Sequence, residues 1–207
     1  MSRMSEGREY HISKTRMETM VDGIFAIAMT LLVLGINPPR PAVSQAQAIL
    51  PALVFDLIPQ FFIFIAAFLI LASFWLGHHR QFHFVRIVDP RLLWVNIALL
   101  ISIVFIPFST DVAGDYPEVQ IAVLLFHINI LIVGLIFAYQ MHYISKSVHL
   151  CDPVADKNSL RLHYLRAMLI PGIAFIAVTV SFVMPSGSLL VYLIVPVVLY
   201  FFLRSGS

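Results

Sequence analysis

Met20-Val-Asp-Gly-Ile-Phe-Ala-Ile-Ala-Met-Thr-Leu-Leu-Val-Leu-Gly-Ile36 is an unbroken apolar run whose one charge, Asp22, stands near its start. The hydrocarbon core of a bilayer is about 30 Å thick and takes a helix of about 20 mostly apolar residues. With its flanks, this run is long enough to cross. Asn37-Pro38-Pro39-Arg40-Pro41 then ends the helix in a stiff turn, because proline removes a backbone donor and restricts the residue before it. Five further runs of the same kind follow: Ile49–Leu76, Leu92–Phe108, Val119–Met141, Leu165–Met184 and Leu189–Leu203. The last is short and, like the first, needs its flanks.

Composition agrees with that reading. The chain of 207 residues is 60% hydrophobic and 12% charged, against about 25% charged in soluble domains. Its mean hydropathy is +0.92. Outer-membrane barrels would show alternating segments of about 10 residues, and no such alternation occurs. In lipid only helices or closed barrels satisfy the backbone. The expected fold is therefore an all-α integral membrane protein with six transmembrane helices.

Lysine and arginine give the orientation, since cytoplasmic loops carry their excess. Arg3, Arg8, Lys14 and Arg16 precede the first run. Arg80, Arg86 and Arg91 follow the second, Lys146, Lys157, Arg161 and Arg166 follow the fourth, and Arg204 follows the sixth. Six spans put all of these on one side and leave only Arg40 on the other, with Asp111, Asp115 and Glu118. Both termini are thus expected in the cytoplasm. The first fifteen residues read as a polar tail without a cleavable signal, and residues 16–204 as one membrane domain. A net charge of +2 from residues at the inner surface points to no nucleic-acid partner. The single cysteine, Cys151, cannot form an internal disulfide.

The connections are short. Residues 42–48 have the composition of a short interfacial helix, Asp152-Pro153 breaks the longest inner loop, and residues 185–188 turn between the last two spans. No internal repeat pairs two halves, which counts against a typical secondary transporter.

Polar groups inside spans are expensive and serve as functional candidates. Asp22, the pair His78 and His79, and Asn96 share the inner boundary, so a polar network joining the first three spans is expected. The bland alternative is a structural clamp. Asp56 falls in the outer part of the second span, and His127 and Asn129 in the outer half of the fourth. His79 and His83 stand one helical turn apart, with Asp89 and His149 as possible recruits. A zinc site needs three or four ligands, and no metal motif is present, so no metal or other cofactor is expected.

In the first helix Ile27, Leu31 and Leu34 recur at helical spacing, with Gly23 and Thr30 beside them. The helix is apolar all round, so periodicity does not say which side faces lipid and which a partner. Taken alone the stripe reads as packing, and Thr30 is expected to bond back to the carbonyl of Ala26.

The stretch from Arg16 through Asp22-Gly23 to Leu34 resembles the first helix of the transmembrane protein 175 family of potassium channels, which opens on Arg-x-x-x-Phe-Ser-Asp-Gly. Phe74-Trp75-Leu-Gly-His78-His79-Arg-Gln-Phe82 is similar to the end of that family's second helix. Leu92-Leu-Trp94-Val-Asn96, running on to Pro107-Phe108-Ser-Thr110, is similar to its third. The resemblance is specific over about the first half of the chain. It implies a homotetramer in the plasma membrane of a prokaryote, with a central pore lined by the four first helices. Ile27, Leu31 and Leu34 would form the apolar constriction and Thr30 would contribute cation selectivity. Arg16, Asp22, His78, His79 and Asn96 would make the supporting polar network. One departure is clear: Met20-Val21 stands where the family has Phe-Ser, which removes a hydroxyl from that network.

The leading expectation is a potassium-permeable leak channel and not an enzyme. Its partners are the bilayer, monovalent cations and other copies of the chain, and potassium is its permeant ion. A branched apolar ring gates such a pore by dewetting. The alternatives are a proton or cation transporter built on Asp22, Asp56 and His127, and an intramembrane enzyme or metal-binding protein built on His78, His79 and His83.

Overall fold

The computed structural model describes residues 13–147, 149–151 and 157–195. Among them every regular element is helical: α1 (Lys14–Leu31), α2 (Val43–Phe55), α3 (Ile58–His83), α4 (Pro90–Val104), α5 (Ile106–Asp115), α6 (Gln120–Lys146), α7 (Lys157–Ala167), α8 (Leu169–Ser181) and α9 (Pro185–Leu189). A 3-10 turn extends α1 to Gly35, and another follows α9 to Leu193.

Prolines and caps account for most boundaries. Asp89 caps α4, accepting from Leu92 N–H at 2.7 Å, and Pro90 follows at the first helical position, where its missing donor costs nothing. Pro107 has no N–H for the carbonyl four residues back, so α4 bends into α5 at Phe105. Pro171 acts likewise between α7 and α8. Each bent pair still runs as one rod, giving among the described residues five segments long and apolar enough to cross a membrane: Lys14–Gly35, Ile58–His83, Pro90–Asp115, Gln120–Lys146 and Asn158–Ser181.

The expected second span needs correction. The hydropathy from Ile49 to Leu76 is continuous, yet the chain breaks at Asp56-Leu57. Thirteen residues of α2 reach only about 20 Å, and none of them is buried. The crossing is α3, opened by Pro59 and running seven residues past Leu76 to His83. Asp56 is therefore an exposed cap at the end of α2 and not part of a span. The third rod reaches Asp115, so Asp111 and Asp115 sit on α5 and not in a loop. Of the sixth expected span only its beginning lies within the described residues. The tail up to residue 12, the Asp152-Pro153 break and Arg204 lie outside them.

Helix α6 is the central post. Fifty-six per cent of its most apolar window is buried within the chain, against 28% for α1, which stands at the edge. Close approach to α6 uses glycine: a Cβ on Gly134 would fall 2.8 Å from Pro171 Cδ of α8, and one on Gly77 of α3 would fall 2.7 Å from the Phe137 ring. Two ends are defined. At one, the α3–α4 connection meets the α6–α7 connection through Arg86 N–H donating to the Leu150 carbonyl at 2.8 Å. At the other, Gln60 Nε2 at the start of α3 donates to Asp115 Oδ1 at the end of α5, at 2.9 Å. Arg80, Arg86, Arg91 and Lys146 gather at the first end, and Asp111 and Asp115 at the second.

Candidate pore helix and the polar contacts behind it

The packing of α1 separates the two faces that its composition leaves equivalent. Met17, Val21, Phe25, Ala28 and Leu32 recur at helical spacing and are all buried against the rest of the bundle. On the opposite side Ile27 is 59% exposed, Leu31 40% and Leu34 73%, and Gly23, Ala26 and Thr30 are exposed between them. Among the described residues this side has no partner within one copy of the chain. Thr30 Oγ1 donates to the Ile27 carbonyl at 2.8 Å, one residue closer than the expected Ala26. With its proton committed to the backbone, the hydroxyl keeps its lone pairs outward.

Behind α1 the expected network divides in two. Asp22 is exposed, and its Oδ1 accepts from Trp75 Nε1 at 2.9 Å, joining α1 to α3. His78 Nε2 meets Asn96 Oδ1 at 2.9 Å, joining α3 to α4. Gln140 Nε2 also donates to Asn96 Oδ1, at 3.4 Å, which carries this second group to α6. His78, Asn96 and Gln140 are all buried. Arg16 is exposed and makes no ion pair among the described residues; His79 is exposed as well.

Trp75, Gln140 and Gln81, whose Nε2 donates to the Phe137 carbonyl at 3.1 Å, play parts that sequence reading did not assign. The two glutamines carried a usable signal, since amides within apolar spans need partners as much as ionisable groups do.

The remaining candidates scatter. His127 is buried between α6 and the final turn, with Ser188 Oγ 2.7 Å from Nε2 and the Tyr192 hydroxyl 3.1 Å from Nδ1. The Ser188 hydroxyl itself donates to the Pro185 carbonyl. Ser188 therefore accepts from His127, so Nε2 carries the ring proton and Nδ1 accepts from Tyr192. The Asn129 amide lies 3.2 Å from Ser109 Oγ. Asp22 sits at Trp75 and Asp56 just before Ile58, about 25 Å apart along α3, so the trio Asp22, Asp56 and His127 forms no common site.

Asp89 and His149 turn to each other, at 3.1 Å, and not to His79 and His83. No group of three metal-donor side chains occurs among the described residues. Asp89 lies outside the crossing segments. Burial alone would raise its carboxyl pKa, but hydrogen bonds from the Tyr143 hydroxyl, Leu92 N–H and His149 outweigh that and hold it below the usual carboxylate value.

The family model described as endosomal/lysosomal potassium channel TMEM175 matches residues 16–107, which hold α1, the Asp22–Trp75 pair and the His78–Asn96 pair. A potassium channel of Chamaesiphon minutus is 28% identical over 195 residues, 93% of this chain and 95% of that one. The crystal structure of a lysosomal potassium-selective channel TMEM175 homolog from Chamaesiphon minutus superposes with a TM-score of 0.79 at 26% identity, covering 94% of this chain and 98% of the other. The endosomal/lysosomal proton channel TMEM175 of Homo sapiens is 25% identical over 154 residues, 74% of this chain but 30% of the human one. The sequence match covers the residues that shape the exposed helix and its supports, and the fold match covers nearly the whole chain: the protein is similar to the TMEM175 channels in sequence and in fold.

Proposed function

We propose that this chain is one subunit of a homotetrameric, potassium-permeable leak channel in a prokaryotic plasma membrane, with six spans per subunit and both termini in the cytoplasm. The observation that carries the reading is the unpartnered side of α1, where Ile27, Thr30, Leu31 and Leu34 stand together opposite the buried stripe. A single chain of this size encloses no pore, whereas closed rotational symmetry makes a central one. Four α1 helices would meet around that axis. Ile27, Leu31 and Leu34 then form apolar rings that close the path by dewetting, and spreading or rotation of the helices opens it. Thr30, its proton already bonded to the backbone, offers oxygen to a passing cation. Arg16, Asp22, His78, His79 and Asn96 set the position of α1 and of the helices behind it. Conduction needs no resident cofactor. The naming of bacterial relatives as potassium channels favours potassium as the permeant ion. The naming of the human relative as a proton channel makes proton flux a second readout on the same preparation.

The assembly is tested with cysteine in place of Leu34, in a Cys151→Ser background. Four converging α1 helices predict oxidative crosslinking between copies and a tetrameric mass. A monomer, or a tetramer that does not crosslink at position 34, would place the pore elsewhere.

A further inference from the structure

A second stripe, unpartnered among the described residues, runs along the rod formed by α4 and α5, and its chemistry differs from that of α1. Trp94, Ala98, Ile101, Phe105 and Phe108 recur at helical spacing and are exposed, Trp94 at 69% and Ile101 at 67%. Arg91 heads the stripe, one turn before Trp94, at the end of the bundle where the other basic residues gather. Its guanidinium is held from behind. Nη2 donates to the Tyr139 hydroxyl at 2.7 Å, and Cζ lies 4.9 Å from the centre of the Tyr143 ring. Tyr139 and Tyr143 stack against each other on α6, and Lys146 continues the same face of that helix.

Arg91 makes no ion pair with Asp89, two residues away. Both oxygens of that carboxylate are taken, by Leu92 N–H on one side and by Tyr143 and His149 on the other. A guanidinium has five N–H donors in a rigid fork that matches phosphate. Here most of the fork stays outward while two tyrosines fix its plane.

We propose that Arg91, with Tyr139 behind it and Trp94 below it, binds the phosphate of an anionic phospholipid whose acyl chain follows the exposed stripe of α4 and α5. Charge complementarity selects this occupant over a second copy of the chain. The described carboxylates of this end are engaged: Glu18 with Lys14, Asp22 with Trp75, and Asp89 as above. Among the described residues of this end a second copy would bring no unengaged anion to Arg91, while a lipid phosphate supplies one at interfacial depth. An indole one turn inside the cation suits the same boundary, where tryptophan concentrates. The continuous apolar track favours a lipid over free phosphate, which would use the fork and leave Trp94 and Ile101 idle.

The test is native mass spectrometry of the purified full-length protein taken from bicelles of equal phosphatidylglycerol and phosphatidylcholine. The wild type is expected to retain phosphatidylglycerol preferentially. Arg91→Gln should lower that preference about fivefold, the scale of one interfacial cation. Tyr139→Phe, which keeps every charge and the ring but frees the guanidinium, should lower it about twofold. Arg161→Gln, on the exposed side of α7, should leave it unchanged. If Arg91→Gln does not fold, Tyr139→Phe decides, because Tyr139 is exposed at its ring and its change is small. An unchanged preference in the tyrosine variant overturns the proposal, as does an equal loss in Arg161→Gln, which would mean a diffuse basic surface. Displacement of the lipid by inorganic phosphate would mean a free-phosphate site. Crosslinking between chains through Trp94→Cys, in a Cys151→Ser background, would assign the stripe to a second copy.

Discussion

Replacing Asn96 with leucine should unsettle the joint of α3, α4 and α6 more than replacing Asn96 and His78 together. Asn96 Oδ1 faces two donors, His78 Nε2 at 2.9 Å and Gln140 Nε2 at 3.4 Å. Both donors are buried, His78 at 2% exposed and Gln140 at 0%. In Asn96→Leu neither retains this acceptor. A buried group left without a partner costs about 1–3 kcal/mol. The His78 contact is short and counts near the middle of that range. The Gln140 contact is long and counts at the bottom of it, so the expected loss is about 2–4 kcal/mol. In a chain of this length that lowers the melting temperature by about 2–4 °C for each kcal/mol. Adding His78→Phe removes the orphaned imidazole, and its ring can still stack on Phe82, as His78 does now at 4.2 Å between centroids. The double variant should therefore recover part of the loss. Coupling between membrane helices through one side-chain hydrogen bond averages about 0.6 kcal/mol and reaches about 1.7. The assay is a double-mutant cycle by equilibrium unfolding in mixed micelles. Strictly additive variants, or a loss below about 0.5 kcal/mol for Asn96→Leu, would refute the argument that this contact joins the helices.

Gly134→Ala should cost about 1–3 kcal/mol by thermal melting, because the new methyl would press on the Pro171 ring. Gly23→Ala, with nothing within 4 Å in the single chain, should leave the stability of the subunit within about 0.5 kcal/mol. Asp89 contributes stability that is complete above the ordinary carboxylate pKa and is lost as pH falls through its lowered folded value. Asp89→Ala should therefore cost about 0.5–2 kcal/mol at neutral pH, and the gap from wild type should close in acid, as read by melting temperature against pH. At the proposed constriction Leu31→Ala should raise flux by removing branched bulk from the ring, and Thr30→Val should lower the preference for potassium while keeping the fold. Ion flux from liposomes checks both, and unchanged flux in both would place the pore lining elsewhere.

The rods were legible because each is an apolar block bounded by charge or proline, and lipid allows such a block only one regular form. The α2–α3 break was not, since hydropathy runs through Asp56-Leu57 and only the backbone registers the pause. The faces of α1 were also hidden. Val21, Phe25 and Ala28 are no more apolar than Ile27 and Leu31, and what separates them is contact with α3 and α4. His78 and Asn96 could be paired by their common depth in the membrane. Gln140 joins them from forty-four residues beyond Asn96, and no local periodicity reports a contact at that separation. Trp75 was given no role for a different reason: an indole N–H is one donor on a large apolar body and is easily counted as packing.

The most direct test of the central claim is ion efflux from liposomes holding the purified protein, loaded with potassium and placed in sodium or N-methylglucamine. A tetrameric leak channel predicts potassium efflux that needs no counter-substrate. Folded, tetrameric protein that releases no potassium, and still releases none after Met20-Val21 is changed to Phe-Ser, would contradict it.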